Sequence, residues 1–245
     1  LRETSVYNSI IEAVALGSTR LNEISQKSLV EDTSKTSVYL KNLIELGIVE
    51  REFSVDTAVK EKANAGRGLY RLADNFFRFW YTFGYANYSQ LEDGDVDGVW
   101  TYVVEPILQE FAALPFEEIC REFIKEQQKK SLLPFRYQKM GRWCGKTTVR
   151  DTKTETGTTI AETEIDILAI GADRKEYMLG ECKFKKVPFS YSEYLDTLAK
   201  LAPMKENATF YYSLFSASGF DEKIEKAAME DGKLRLYSLD TIVEG

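Results

Sequence analysis

At 245 residues and 44% hydrophobic, the chain can bury one large core or two modest ones, and two domains are expected. The absence of histidine excludes Ser-His-Asp triads, Cys-His nucleophiles and histidine metal sites, so any chemistry must use carboxylates, lysine or hydroxyls. The net charge of −7, from 39 acidic and 32 basic side chains, argues against a general polyanion binder but leaves room for a local basic face.

Cys120, Cys144 and Cys182 are widely spaced and odd in number, which suits neither a disulfide framework nor a CxxC zinc site, so reduced thiols are expected. No apolar run approaches the ~18 residues that span a bilayer, and the start lacks the basic and apolar regions of a signal peptide. The chain therefore reads as non-membrane and cytoplasmic. It opens on Leu1 and passes almost directly into a helical pattern, as a piece of a longer protein with a domain upstream would.

Ile10, Ile11, Val14 and Leu16 recur at helical spacing, and a second short amphipathic segment spans Leu21 to Leu29. A third helix is expected behind Asp32 or Thr33 and runs through Val38, Leu40, Leu43, Ile44 and Leu46 to Gly47, a C′ residue. Ile48 to Val55 then takes a strand rhythm, and Gly68 to Ala73 reads as the returning strand. Three helices followed by a strand is winged helix-turn-helix order, over residues 1–75. Asp56 to Arg67 becomes the wing, with Lys60, Lys62 and Arg67 near its tip as candidate phosphate contacts.

Residues 76–105 form an aromatic-rich helical linker, read as packed inter-domain core rather than a base-stacking platform. The acidic stretch from Glu92 to Gly98 has its glycines in the wrong places for a calcium loop and reads as a solvated turn. Residues 106–245 make the second domain. A long helix opens at Pro106, passes Leu108, Phe111, Phe116, Ile119 and Phe123, and reaches about Lys130, with a kink expected at Pro115. Strands follow over Pro134–Lys146, Thr163–Ile170 and Tyr177–Phe184, then a helix over Ser190–Leu201, a strand over Thr209–Phe215, a helix over Phe220–Glu230 and a strand over Leu234–Ser238. The fold class is α/β (α+β): a mixed central sheet with helices on its faces.

The chemistry concentrates in one hairpin. If Ile170 pairs with Tyr177, antiparallel register sets Asp166 opposite Glu181 and Glu164 opposite Lys183, all on one face. Two carboxylates across a ladder repel, so a cation between them is expected. Magnesium or manganese, held by Asp166 and Glu181 with Glu117 from the preceding helix, would polarise a phosphoryl oxygen and activate water. Lys183 would stabilise developing charge or orient the water.

Asp166, Glu181 and Lys183, with Glu117, resemble the PD-(D/E)xK nuclease superfamily, whose motif pairs an acidic strand residue with E-x-K on the next strand. The αβββαβ order resembles that restriction endonuclease-like core, and Ile165 stands where the family name has proline. A wider resemblance rests on the string from Tyr70 to Tyr81 (YRLADNFFRFWY), on Phe116–Glu122, Gly141–Trp143 and Gly180–Lys183. These look like the C-terminal region of archaeal-type AAA+ ATPases. The resemblance implies an upstream ATPase domain, DNA-related or defence-related work and no settled substrate.

Gly141 to Thr147 (GRWCGKT) superficially resembles a Walker A loop but has three residues between its glycines where four are needed, and it falls in an expected strand. No ATP site is expected in this stretch of chain. From Cys120 to Arg150, nine basic side chains face two acidic ones, and Arg136, Lys139 and Arg142 are candidate DNA contacts; a solvated helix face explains the same balance. Three readings stay open. The domain is a metal-dependent deoxyribonuclease, or an inactive nuclease fold coupling an ATPase to DNA or to a protein partner through the winged helix, or Asp166, Glu181 and Lys183 are surface ion pairs.

Overall fold

Helix α1 (Thr4–Ala15) turns Tyr7, Ile10, Ile11 and Val14 inward, the i, i+3, i+4, i+7 stripe that a half-buried helix needs. Helix α2 (Leu21–Lys27) starts where Glu23 Oε2 accepts the main-chain N–H groups of Thr19 and Arg20, at 3.1 and 3.0 Å. Helix α3 (Thr33–Glu45) is capped by Asp32, whose carboxylate accepts from Ser34 N at 2.8 Å, and buries Thr36, Leu40 and Leu43. Gly47, at φ +71°, lets the chain turn back so that Ile48 N bonds Leu43 O at 2.9 Å.

Strand β1 (Val49–Glu52) pairs antiparallel with β2 (Leu69–Leu72), and a 3₁₀ turn, Val59–Ala63, lies between them. Ile10, Ile24, Leu40, Leu43, Val49, Tyr70 and Leu72 share one core with Tyr81. Full burial of such an apolar side chain contributes about 1.5–3 kcal/mol.

Helix α4 (Asn75–Phe79) is capped by Asp74 through the N–H groups of Phe76 and Phe77 and continues as a π turn, Trp80–Gly84. A short 3₁₀ turn leads into α5 (Tyr88–Glu92). Gly84 has to be glycine because a Cβ there would sit 2.4 Å from the Trp80 ring. Tyr81 Oη donates to Asn8 at 3.0 Å and Thr82 Oγ1 to Ala15 O at 3.3 Å, so the aromatic segment is tied to α1. Helix α6 (Val96–Val99) begins at Asp95, which accepts from Gly98 N, and runs into a second π turn, Trp100–Val104. The acidic stretch is thus partly a helix start rather than wholly a turn.

The computed structural model describes residues 3–30, 32–64, 67–150, 158–201 and 208–244. Two units divide the chain, Leu1–Leu108 and Gln109–Gly245. The aromatic segment thus falls within the first.

In the second unit, α7 (Leu108–Lys129) buries Phe116, Cys120, Phe123, Ile124 and Gln127, and Pro115 lies inside it without ending it. The five-stranded sheet has the order β3 (Tyr137–Arg150), β4 (Thr158–Gly171), β5 (Glu176–Lys183), β6 (Thr209–Ser216), β7 (Leu234–Ser238). The first three strands run antiparallel and β5, β6 and β7 run parallel, the mixed sheet expected.

Parallel pairing requires crossovers, supplied by α8 (Tyr191–Leu201) and α9 (Glu222–Glu230). Strand alternation separates two cores. Ile167, Ala169, Met178 and Phe215 pack with α7, joined by Ile242 from the terminal helix α10 (Leu239–Glu244), while Leu214, Phe189, Tyr194, Ile224 and Leu234 form the other core. Strand β3 carries irregularities at Tyr137/Lys139 and Gly141/Trp143, and the Walker-like string lies within it.

Candidate functional site

The β4–β5 pairing runs Ile170↔Tyr177, Ala169↔Met178, Leu168↔Leu179 and Ile167↔Gly180, the register expected from the hairpin. It stops there. Asp166 with Glu181, and Glu164 with Lys183, would be the next two same-face pairs, but the backbone ladder does not reach them. Instead Asp166 Oδ2 accepts the main-chain N–H of Cys182 at 2.9 Å, a side-chain bond taking over where the ladder ends. On its other side β4 shifts register against β3 at the same place: two β4 residues, Asp166 and Ile167, stand against Arg142 alone, a bulge on β4, and bulges raise the local twist.

Glu181 is only 4% exposed, and its Oε1 accepts from Lys183 Nζ at 2.8 Å. The two lie two residues apart on one face of β5. Burial works against the Lys183 charge, but Glu181, Asp166 and Glu193 outweigh it and hold the ammonium above the ordinary lysine value. It therefore stays protonated across the neutral range. Glu193, on α8, accepts from Lys185 Nζ at 2.7 and 2.6 Å through its two oxygens, and Ser190 N and Oγ also donate to it. Ser190 and Glu193 form the capping box of α8.

Glu117, on α7, meets Arg121 Nη1 at 3.5 Å, and the same guanidinium nitrogen donates to Asp166 O at 3.3 Å. Arg121 thus fastens the helix acid to the strand carrying Asp166. Arg142 pairs with Glu164, and its side chain is 13% exposed. Burial opposes its charge, but Glu164 and Glu117 raise it above the ordinary arginine value. Cys182 carries the opposite polarity: burial pushes its thiol well up, and Cys120, Asp166 and Glu117 push it further. Such a thiol is not a nucleophile.

Asp166, Glu181 and Lys183 thus cluster where β4 and β5 part, with Glu117 linked to Asp166 through Arg121. Among the described residues no group of three or more acidic or cysteine side chains is gathered to hold a metal. The donor chemistry still fits a hard cation, since magnesium is held by one or two carboxylates completed by water and phosphate. Asp166 and Glu181 are the two carboxylates that would have to supply that pair.

Lys60, Lys62 and Arg67 are exposed around the 3₁₀ turn, and Arg136 and Lys139 are exposed at the start of β3. Arg142 is engaged by Glu164 instead. Lys125 and Lys129 pair with Glu122 and Glu126, so part of the basic excess is neutralised within α7. Sequence reasoning missed the roles of Arg121, Lys185 and Glu193. Only the Ser190-x-x-Glu193 spacing, a capping-box signature, could have revealed one of them.

Among the described residues no helix is long and apolar enough to cross a membrane. The chain is similar to the uncharacterized protein MJECL04 of Methanocaldococcus jannaschii, at 31% identity over 183 residues, covering 75% of this chain and 36% of that protein. It thus spans about a third of that relative's length. Among solved structures it is similar to the protein of unknown function AF1548, with TM-score 0.34 and 16% identity over 54% of this chain and 65% of the other. It is also similar to VC1899 from Vibrio cholerae, with TM-score 0.35 and 13% identity over 99% of this chain and 50% of the other. Residues 80–195 match the family model DUF234, described as archaea bacterial proteins of unknown function.

Proposed function

We propose that the second unit is a magnesium- or manganese-dependent module hydrolysing phosphodiester bonds in DNA, acting as the C-terminal part of a longer protein with an ATPase upstream. The observation that carries it is the buried Glu181 carboxylate bonded to Lys183, with Asp166 adjacent at the end of the same ladder. Asp166 and Glu181 would hold the ion, which supplies Lewis acidity and lowers the pKa of bound water. Lys183, kept charged by its carboxylates, suits stabilisation of negative charge on phosphate oxygens and not proton abstraction. Glu117 supports the site through Arg121.

Phosphate contacts are assigned to Lys60, Lys62 and Arg67 on the wing of an N-terminal winged helix, and to Arg136 and Lys139 beside β3. Arg142 can serve only by exchanging Glu164 for phosphate.

A second reading has its own support. Glu181 is engaged by Lys183 and Glu117 by Arg121, and no three-acid cluster is present among the described residues, as in a silent nuclease fold that couples an ATPase to DNA or a protein partner. Incubation of the protein with supercoiled plasmid and with branched DNA, with magnesium or with chelator, separates the two. Magnesium-dependent cleavage lost in Asp166→Asn supports the first; DNA binding without cleavage supports the second. Equal cleavage by wild type and Asp166→Asn removes the site assignment.

A further inference from the structure

Arg51 lies on β1, yet its guanidinium is directed at the segment between β1 and β2. Nη1 donates to Lys62 O at 3.3 Å, and Nη2 donates to Asn64 O at 2.6 Å and to Arg67 O. The same group stacks 4.8 Å from the Phe53 ring centroid and 5.3 Å from that of Tyr70. Lys62 Nζ lies 5.4 Å from the Phe53 centroid. A planar guanidinium, with donors in a fixed fork and flat faces, can hold several carbonyls while stacking on aromatic rings; a compact ammonium cannot. Of the loop residues it binds, two carry basic side chains.

We propose that Arg51 is a positioning residue for DNA phosphate contact: by holding the carbonyls of Lys62, Asn64 and Arg67 it fixes the loop so that Lys60, Lys62 and Arg67 meet one run of phosphates. Charge complementarity names the partner. Lys60, Lys62 and Arg67 are exposed with Glu61 as the acidic residue among them, against a slight acidic excess over residues 1–60. The inference rests on the wing reading above and adds a residue that need not touch DNA itself. Without Arg51 the three cations would keep their charge but lose their shared placement, which must then be restored on binding.

The test is fluorescence anisotropy of the protein on a mixed-sequence DNA duplex of roughly two helical turns, with chelator present and salt varied. Replacing Lys60, Lys62 and Arg67 together by Gln should flatten the slope of log affinity against log salt by about 0.9 for each phosphate no longer neutralised, or roughly 2–3 in all. Arg51→Gln should flatten it by more than the single unit that one direct contact explains. Arg51→Lys should behave like Arg51→Gln although it keeps the charge. Adding Arg51→Gln to the triple variant should change the slope no further.

A wild-type slope in Arg51→Lys, or a decrease of about one unit that adds to the triple variant, overturns the proposal and makes Arg51 a bystander or an ordinary contact. An unchanged slope in the triple variant instead defeats the wing reading beneath it. Circular dichroism of each variant guards against misfolding. If Arg51→Gln loses helical signal, Arg51→Lys, which retains charge and stem, decides alone.

Discussion

Replacing Lys183 by Met should destabilise the second unit more than replacing its partner Glu181 by Gln. Removing one member of a buried ion pair strands the other, at about 3–5 kcal/mol when both are fully dry. Here the side chains are 32% exposed for Lys183 and 5% for Glu181. Water reaches the ammonium but scarcely the carboxylate, so Lys183→Met should cost roughly 2–3 kcal/mol. Glu181→Gln keeps the shape and an oxygen that accepts from Lys183, and should cost about 0.5–1.5 kcal/mol.

The double variant should recover most of the stability, because no charge is left buried. Urea denaturation read by hydrogen exchange of the β5 amides isolates this unit from the other. Manganese at ten times its dissociation constant should return about 1.4 kcal/mol to Lys183→Met, the ion taking the ammonium's place. A Lys183→Met protein as stable as wild type, or less perturbed than Glu181→Gln, refutes the reasoning.

Gly180→Ala should cost about 1–3 kcal/mol by overpacking and weaken any metal affinity at the adjoining site, because the new Cβ would lie 2.8 Å from Ile167 Cβ at the last rung of the ladder; chemical denaturation and manganese titration read the two effects. Asp221→Ala should cost about 1–2 kcal/mol, since one carboxylate accepts from Tyr191 N at 2.7 Å and Ile224 N at 2.9 Å and so caps two helices, and a melt should show it. Glu193 supplies a pH dependence. Burial raises its pKa, but bonds from Lys185 and Ser190 prevail and hold it below its ordinary 4.5. A depressed folded-state value stabilises fully above that ordinary value and less as pH falls through the lower folded one, so stability should fall as pH drops below about 4.5. In Glu193→Gln this acid effect should shrink, as denaturation midpoints across that range will record.

Much of the fold was readable because periodicity and punctuation agreed. Asp32 and Gly47 bracket α3, Leu234–Ser238 is the strand expected, and the register Ile170↔Tyr177 followed from apolar alternation on both arms of one turn. The ends of β3 and β4 were not. Thr147–Arg150 and Thr158–Glu162 pair across the sheet, but a threonine-rich, polar stretch carries no alternation to betray it. The π turns were equally invisible, since an aromatic-dense segment reads as plain helix.

At the candidate site the contact between Glu181 and Lys183 on one face of β5 was legible from E-x-K spacing. The other partners were not, because bonds such as Arg121 to Asp166 O join positions 45 residues apart. Arg142, read as a DNA contact, is also paired with Glu164, a partner on the neighbouring strand that the basic stretch alone does not reveal.

The most direct test is calorimetric titration of manganese into the wild-type chain and into Asp166→Asn, with folding checked on both. One-to-one binding by wild type, weakened at least tenfold by the substitution, is the expected result. A folded wild type that takes up no ion, or an Asp166→Asn protein that binds it equally well, would contradict a shared cation site at Asp166 and Glu181.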